Sequence, residues 1–485
     1  MPGDLEQPGV SPAKEAGATD GRLAVVVLAA GKGSRMKSEL PKVLHPLAGR
    51  PMLGHVLATL RTLSPAATVV VVGPGMAAVE AAAVPHAIAI QPGQRGTGEA
   101  VMAARPALAE FCARCGGPGE REVLVVFGDT PLVRPETYQA MVAARRRKRT
   151  PDLVLLGFRA EDPTGYGRIV LDREGRPQAI VEHRDCDEAT RALDLCNAGL
   201  MLIDAARLFA WLERIDTDNA KGEYYLTDLA RLAHEDGART ALVEADEGEV
   251  MGVNSRAELA TAEAVLQEAL RARAMAEGAT LIDPASVWLS WDTHLGRDVT
   301  IHPSVVLGPG VTIRDGVEVK GFCHLEGVTL EAGAVVGPYA RLRPGTVVGA
   351  KARIGNFVEV KNAVFGEGAK ANHLSYVGDA SVGARANVGA GTITCNYDGF
   401  AKSRTEIGEG AFIGSNTALV APVKVGAGAI TGAGSTITRD VPDDAIAIER
   451  NRQDTVEQGA LRFRESRSGS PAASGASRPL KQNEG

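Results

Sequence analysis

Two hydrophobic rhythms divide the chain. Over residues 23 to about 254, short Val- and Leu-rich runs (residues 23–31, 67–73, 122–129 and 153–158) alternate with helix-like stretches such as residues 51–63. That alternation predicts an α/β unit on a mainly parallel sheet, Rossmann-like, with ligands at the C-terminal ends of strands. Residues 255–277 carry Ala, Leu, Glu and Arg at helical spacing without Gly or Pro, and predict one long connecting helix. Beyond it, apolar residues recur every six positions or nearly so: Ile301, Leu307, Ile313, Val319 and Leu325, then Leu330, Val336, Leu342, Val348, Ile354 and Val360. The rhythm returns at Val382 and Val388, and again at Ile407, Ile413, Leu419 and Val425, passes through Thr431 and ends at Ile437. A hexapeptide period predicts short strands, three to a coil, stacked as a parallel β-helix whose anchors fill a narrow core. Two polar stretches, residues 369–379 and 389–406, read as interruptions that can carry functional side chains.

Composition agrees with that division. A hydrophobic share of 45% with 23% charged residues over 485 positions describes a globular chain long enough for two domains, and 56 glycines match a turn-rich repeat. The expected organisation is an N-terminal extension over 1–21, a first catalytic unit over 22–254, the helix over 255–277, the β-helix over 278–450, and a polar tail over 451–485 that is mostly disordered, as is the extension. A net charge of −6 gives no reason to expect nucleic acid or an anionic membrane as partner, so any phosphate site must be local. The first residues lack the apolar core of a secretory signal and no window is long enough for a membrane span, so a cytoplasmic location is expected. Cys112 and Cys115 form the one close cysteine pair; with no second pair or nearby histidine they read as part of a surface loop rather than a zinc or redox site.

Candidate chemistry begins where the first apolar run ends. Leu28, Ala29, Ala30 and Gly31 lead into a loop in which Gly31 and Gly33 let backbone N–H groups approach phosphate oxygens, while Arg35 adds charge and Lys42 can neutralise a further phosphate. The spacing is neither that of dinucleotide binders nor that of P-loops. Together with the Leu40-Pro41-Lys42 that follows, it resembles the sugar-1-phosphate nucleotidyltransferases. The resemblance implies uracil reading by the segment with Gln91, Gly96 and Thr97, and nucleotide contact by Phe127, Gly128 and Asp129. It also implies a Mg²⁺ held by Asp129 and Asn254, and sugar contacts from Gly167, Glu182 and Asn197. Asp129 supplies one hard oxygen, leaving water and substrate phosphates to complete an octahedron. In such a reaction a sugar phosphate attacks the α-phosphorus of a nucleoside triphosphate in line, so neither a protein nucleophile nor a general base is required. Glu99 occupies a position the family varies.

The β-helix half resembles the hexapeptide acyltransferases. The two halves joined by a helix resemble, over about residues 23 to 450, the bifunctional N-acetylglucosamine-1-phosphate uridylyltransferase/glucosamine-1-phosphate acetyltransferases. That resemblance implies left-handed coils, homotrimers with acetyl sites between adjacent subunits, and synthesis of UDP-N-acetylglucosamine from UTP, glucosamine-1-phosphate and acetyl-CoA, a precursor for peptidoglycan and lipopolysaccharide. It makes His373 the general base, a role suited to an imidazole that titrates near neutral pH. Arg343, Lys361, Tyr376 and Asn387 match contacts to the amino sugar phosphate, and Ala390, Asn396, Tyr397, Ser415, Ala433 and Arg450 match contacts to acetyl-CoA. Glu359 is a candidate to orient the imidazole through its other nitrogen. Two rival readings stay open: a uridylyltransferase whose β-helix is only a scaffold, and a two-enzyme chain acting on another base or sugar.

Overall fold

The computed structural model describes residues 21–147 and 150–468. The expectations for residues 1–20 and 469–485 lie outside the described residues.

Seven of the nine strands in the sheet of the first half lie side by side: β1 (Leu23–Leu28), β2 (Ala67–Val72), β3 (Ala87–Ile90), β4 (Glu122–Phe127), β5 (Leu153–Arg159), β6 (Leu195–Asp204) and β7 (Thr240–Glu244), with the hairpin of Arg168–Leu171 and Pro177–Val181 attached to β6. Their order is β7-β5-β6-β4-β1-β2-β3, and every neighbouring pair is parallel except those of β6, which runs antiparallel to both β4 and β5. The apolar runs are continuous because the sheet is covered on both faces. In β1, Leu23, Val25 and Val27 enter one core with Leu53, Val56, Leu60, Tyr138 and Met141 from helices on that side. Ala24, Val26 and Leu28 enter the other with Val101, Leu108, Leu208 and Trp211. The C-terminal ends of β1, β3 and β4 deliver Leu28, Gln91 and Asp129 to the same rim.

One helix spans Arg256–Ala276. Ser255 begins it by accepting from the Glu258 N–H while the Glu258 side chain takes the N–H of Ser255, a capping box that fixes where the helix starts. Gln267, buried on its inner side, donates to the Leu289 carbonyl (2.7 Å) and accepts from the Leu289 N–H (2.9 Å), which fastens the helix to the first coil of the β-helix.

The second half is a left-handed parallel β-helix. Each anchor read from the six-residue period is buried, from Ile301 to Ile437, and Thr431 fills one position at 1% exposure. Sealing each Ile or Leu in that core contributes about 1.5–3 kcal/mol. The first presumed interruption is not one. Phe365, Ala371 and Val377 are buried anchors between Val360 and Val382, on the strands Glu359–Phe365, Lys370–His373 and Tyr376–Val382. Ala371 is small enough to hide the period from a count of large apolar residues. The second interruption is real: after Thr394, an anchor at 1% exposure, a loop leaves the coil at Asn396 and returns at Thr405.

Within the expected tail, residues 459–468 form a helix (Gly459–Ser468) that buries none of its residues. Arg462, Arg464, Glu465 and Leu461 favour helix locally, which accounts for an element that composition alone reads as disordered. Cys112 also departs from its expectation, since it lies in the last turns of the helix Arg105–Ala113 rather than in a loop. Burial pushes the Cys112 and Cys115 thiols up, away from the thiolate form that metal binding needs.

A hairpin interlocks the halves. Pro46–Leu47 pairs with Arg50–Pro51 around a turn at Ala48 and Gly49, both at positive φ. The Ala48 carbonyl accepts from Ser290 Oγ and the Trp291 N–H (2.9 Å each), its N–H donates to Glu263 (2.8 Å), and the Arg50 guanidinium lies 4.2 Å above the Trp291 ring.

Candidate active sites

Strand ends assemble the first site. Leu28, Ala29, Ala30, Gly31, Arg35, Lys42, Gln91, Gly96, Thr97, Phe127, Asp129 and Asn254 line one cleft of about 640 Å³. The backbone closes its floor, with the Gly128 N–H on the Leu28 carbonyl (2.9 Å) and the Ala29 N–H on the Val71 carbonyl (2.8 Å). Gly33 is left-handed, and a Cβ there would lie 2.6 Å from Cβ of Lys42, so only glycine lets the loop fold onto that lysine.

The Lys42 ammonium donates to the Asp129 carboxylate and to Asn254 Oδ1 (3.0 Å). Two hard oxygens from distant segments therefore face one position that a cation already finds favourable. Their loops are tied together by the Val253 N–H on the Asp129 carbonyl (2.9 Å). One carboxylate and one amide oxygen, with phosphate and water to follow, suit a hard divalent ion that keeps part of its hydration.

Gly167, Glu182 and Asn197 form a patch beside the cleft rather than part of its lining. The Asn197 N–H reaches the Gly167 carbonyl (2.8 Å), and a Cβ on Gly167 would stand 3.5 Å from Glu182 Oε1. Burial raises the Glu182 carboxyl above its ordinary value, against the pull of Lys221 and a hydrogen bond from Thr227. The link to the cleft is Phe127, whose ring packs where Gly199 has no side chain. Lys32, Gly93 and Gln94, which fall inside the sequence motifs without a role of their own, also line the cleft, as does Glu223, which lies outside every motif. Gln94 joins two walls by donating to the Ala30 carbonyl (2.9 Å).

Coil stacking assembles the second site. Asn356, His373, Ala390, Ser415 and Ala433 each precede a left-handed corner residue (Phe357, Leu374, Gly391, Asn416 and Gly434), so they rise along one edge of the β-helix. His373 Nδ1 meets Asn356 Oδ1 at 2.8 Å, one coil below. This corrects the expectation for Glu359, whose carboxylate pairs instead with Arg343 (2.9 Å). Tyr376 lies directly over Glu359 in the next coil, and Asn387 over Lys370.

The Lys361 ammonium is driven below its usual value by Lys402 and, to a smaller degree, by Arg343. Lys361, Lys402 and Arg343 thus lie near one another, with Asp379 as a counter-charge to Lys361 and Glu359 as the partner of Arg343. Lys402 sits on the inserted loop, and nothing in its local sequence marked it. Asn396, at the start of that loop, donates to Asp379, which also accepts from Asn362 (2.6 Å). The Tyr397 hydroxyl donates to the Gly399 carbonyl within the same loop (2.6 Å). Arg450 caps the edge by donating to the Ala433 carbonyl (3.1 Å).

Comparison with known proteins covers both halves. Residues 25–219 match the MobA-like NTP transferase domain, and residues 404–439 match the bacterial transferase hexapeptide (six repeats). The chain is 58% identical over 443 residues to the bifunctional protein GlmU of Paramagnetospirillum magneticum, covering 91% of this chain and 97% of that relative. It is 54% identical to the bifunctional protein GlmU of Sphingopyxis alaskensis over 89% of this chain and 94% of the relative. The same protein of Paracoccus denitrificans is also 54% identical, with 90% and 95% covered.

Proposed function

The chain belongs to the bifunctional GlmU family, and from that membership we propose that it makes UDP-N-acetylglucosamine in two steps, one in each half. The first step acetylates glucosamine-1-phosphate, and the second joins the product to UTP with release of pyrophosphate. The observation that carries this reading is 58% identity over 443 residues, 91% of this chain and 97% of the relative, a span that takes in both halves.

Acetyl transfer belongs to residues 278–450. The amine nitrogen of glucosamine-1-phosphate forms a bond to the thioester carbonyl carbon of acetyl-CoA as the C–S bond breaks. His373 Nε2 takes the amine proton and returns it to the departing thiolate. Arg343 and Lys361 hold the sugar phosphate, with Lys402 beside them, while Tyr376 and Asn387 orient the sugar. Ala390, Asn396, Tyr397, Ser415, Ala433 and Arg450 bind the coenzyme.

Uridylyl transfer belongs to residues 22–254. The sugar phosphate oxygen attacks the α-phosphorus in line, and pyrophosphate leaves. Arg35 and Lys42 stabilise the charge that gathers on the transferred and leaving phosphates. Gly167, Glu182 and Asn197 hold the sugar, and Gln91, Gly96 and Thr97 hold the base. Asp129 and Asn254 would bind Mg²⁺, which supplies neutralisation of phosphate charge when present.

We place the chain in the cytoplasm as a homotrimer. Six free cysteines support a reducing compartment, and no helix among the described residues is long and apolar enough to cross a membrane. The exposed ladder of Phe322, Tyr339 and Phe357, stacked at 4.8 and 5.2 Å along the edge that carries His373, supports association of copies there.

The test is a product assay with glucosamine-1-phosphate, acetyl-CoA, UTP and Mg²⁺, each omitted in turn. UDP-N-acetylglucosamine should vanish without acetyl-CoA and return when N-acetylglucosamine-1-phosphate is supplied. Asp129→Ala should abolish only the uridylyl step and His373→Ala only the acetyl step. Acetylation that never occurs would make the β-helix a scaffold, and one substitution that stops both steps in a folded protein would refute independent sites.

A further inference from the structure

Gln91 follows β3 at the wall of the nucleotide cleft and is 4% exposed. Its amide nitrogen donates to the Gly96 carbonyl (2.9 Å) and to Glu99 Oε2 (3.1 Å). Both partners are acceptors only, so they fix which end of the amide points at them. Between them they engage its two hydrogens, and no donor among the described residues reaches the amide oxygen, Oε1.

Glu99 is itself held firmly. Its Oε2 accepts from the Arg95 N–H (2.7 Å) and its Oε1 from Arg95 Nε (2.9 Å). Burial works against its charge, but these bonds and the one from Gln91 keep its carboxyl below the usual carboxylate range. Gly93 lies against it, where a Cβ would stand 2.6 Å from Glu99 Oε1.

We infer that Glu99 is a specificity-determining positioning residue: by holding one Gln91 amide hydrogen while the Gly96 carbonyl holds the other, it keeps Oε1 turned toward the base, where it accepts the N3–H of uracil and repels the N3 lone pair of cytosine. The inference rests on the reading of this cleft as the uridylyl site with Gln91 against the base. An amide held by the Gly96 carbonyl alone turns over more readily, presents N–H to the base part of the time and blurs the distinction. A site whose polar group is fixed rejects a mismatched base because the mismatch leaves buried groups unpaired. Glu99 need touch no substrate to have this effect.

The experiment uses the full-length protein with N-acetylglucosamine-1-phosphate and compares kcat/KM for UTP and CTP. Glu99→Gln keeps the shape but adds a donor, and Glu99→Ala removes the partner. In both, the UTP preference should fall roughly tenfold or more, through KM, with kcat at saturating UTP and the acetyl step within about twofold of wild type. An unchanged preference in both variants, or an equal fall for both nucleotides, would overturn the inference. Gln91→Leu separates the two levels: if it keeps the wild-type preference, the reading of Gln91 fails and the inference with it. If Gln91→Leu erases the preference while both Glu99 variants keep it, only the role of Glu99 is lost.

Discussion

At the residue scale, the pairing of His373 with Asn356 decides which nitrogen is available for chemistry. An acceptor at Asn356 Oδ1, 2.8 Å away, favours the neutral tautomer with hydrogen on Nδ1 and the lone pair on Nε2. Asn356→Leu removes the acceptor without changing the charge of the groove, which Glu318, Lys320 and Arg353 also line. Acetyl-transfer kcat should fall roughly tenfold to a hundredfold, as when a partner that fixes an imidazole is lost, with KM for both substrates and the uridylyl rate little changed. A steady-state comparison showing undiminished kcat would rule the pairing out as functional. His373 was singled out in the sequence through the motif around it. Asn356 was not, because its partner is 17 positions away, and that distance means contact only once the coil length is known. Glu359 was misread for the same reason: its nearest charged neighbour, Arg343, is one coil earlier.

At the element scale, the six-residue period carried most of the second half into view, since a repeat writes its core into the sequence many times. It failed where an anchor shrank to Ala371, making a continuous wall look broken. The interlocking hairpin was illegible for a different reason. Its turn residues, Ala48 and Gly49, are a common loop pair, and their partners Ser290, Trp291 and Pro309 lie more than two hundred positions on. Gly49 stands at φ 81°, and a Cβ there would lie 2.7 Å from Ser290 Oγ and 2.8 Å from Pro309 Cγ. Gly49→Ala should therefore cost about 1–3 kcal/mol, seen as an earlier thermal transition of the first half. Unaltered melting would mean that the junction yields more easily than its spacing implies. The hairpin starts just after Lys42, so loosening it should also weaken the Lys42 bonds to Asp129 and Asn254.

At the scale of the whole molecule, the two halves solve placement in different ways. The first gathers its cleft from the ends of parallel strands and from Asn254 at the start of the connecting helix, and that convergence was foreseeable from motif order. The second lays its groups along an edge, one coil at a time, so a change in any coil shifts the groups above relative to those below. The two ends of this stack also differ. Coil one is held by the hairpin and by Gln267, whereas at the far end Ile446 and Ile448 are exposed and the helix Gly459–Ser468 buries nothing against them. In a solenoid each turn is secured only by its neighbours, so the stack has a direction of fraying. Amide protons near Ala433 should exchange with deuterium first and those near Ile301 last, in a graded series; a flat profile would mean that the coils open together. The acetyl-CoA end would then be the short-lived end of a zipper, whose opening silences acetylation while the nucleotide cleft, anchored at the closed end, still turns over.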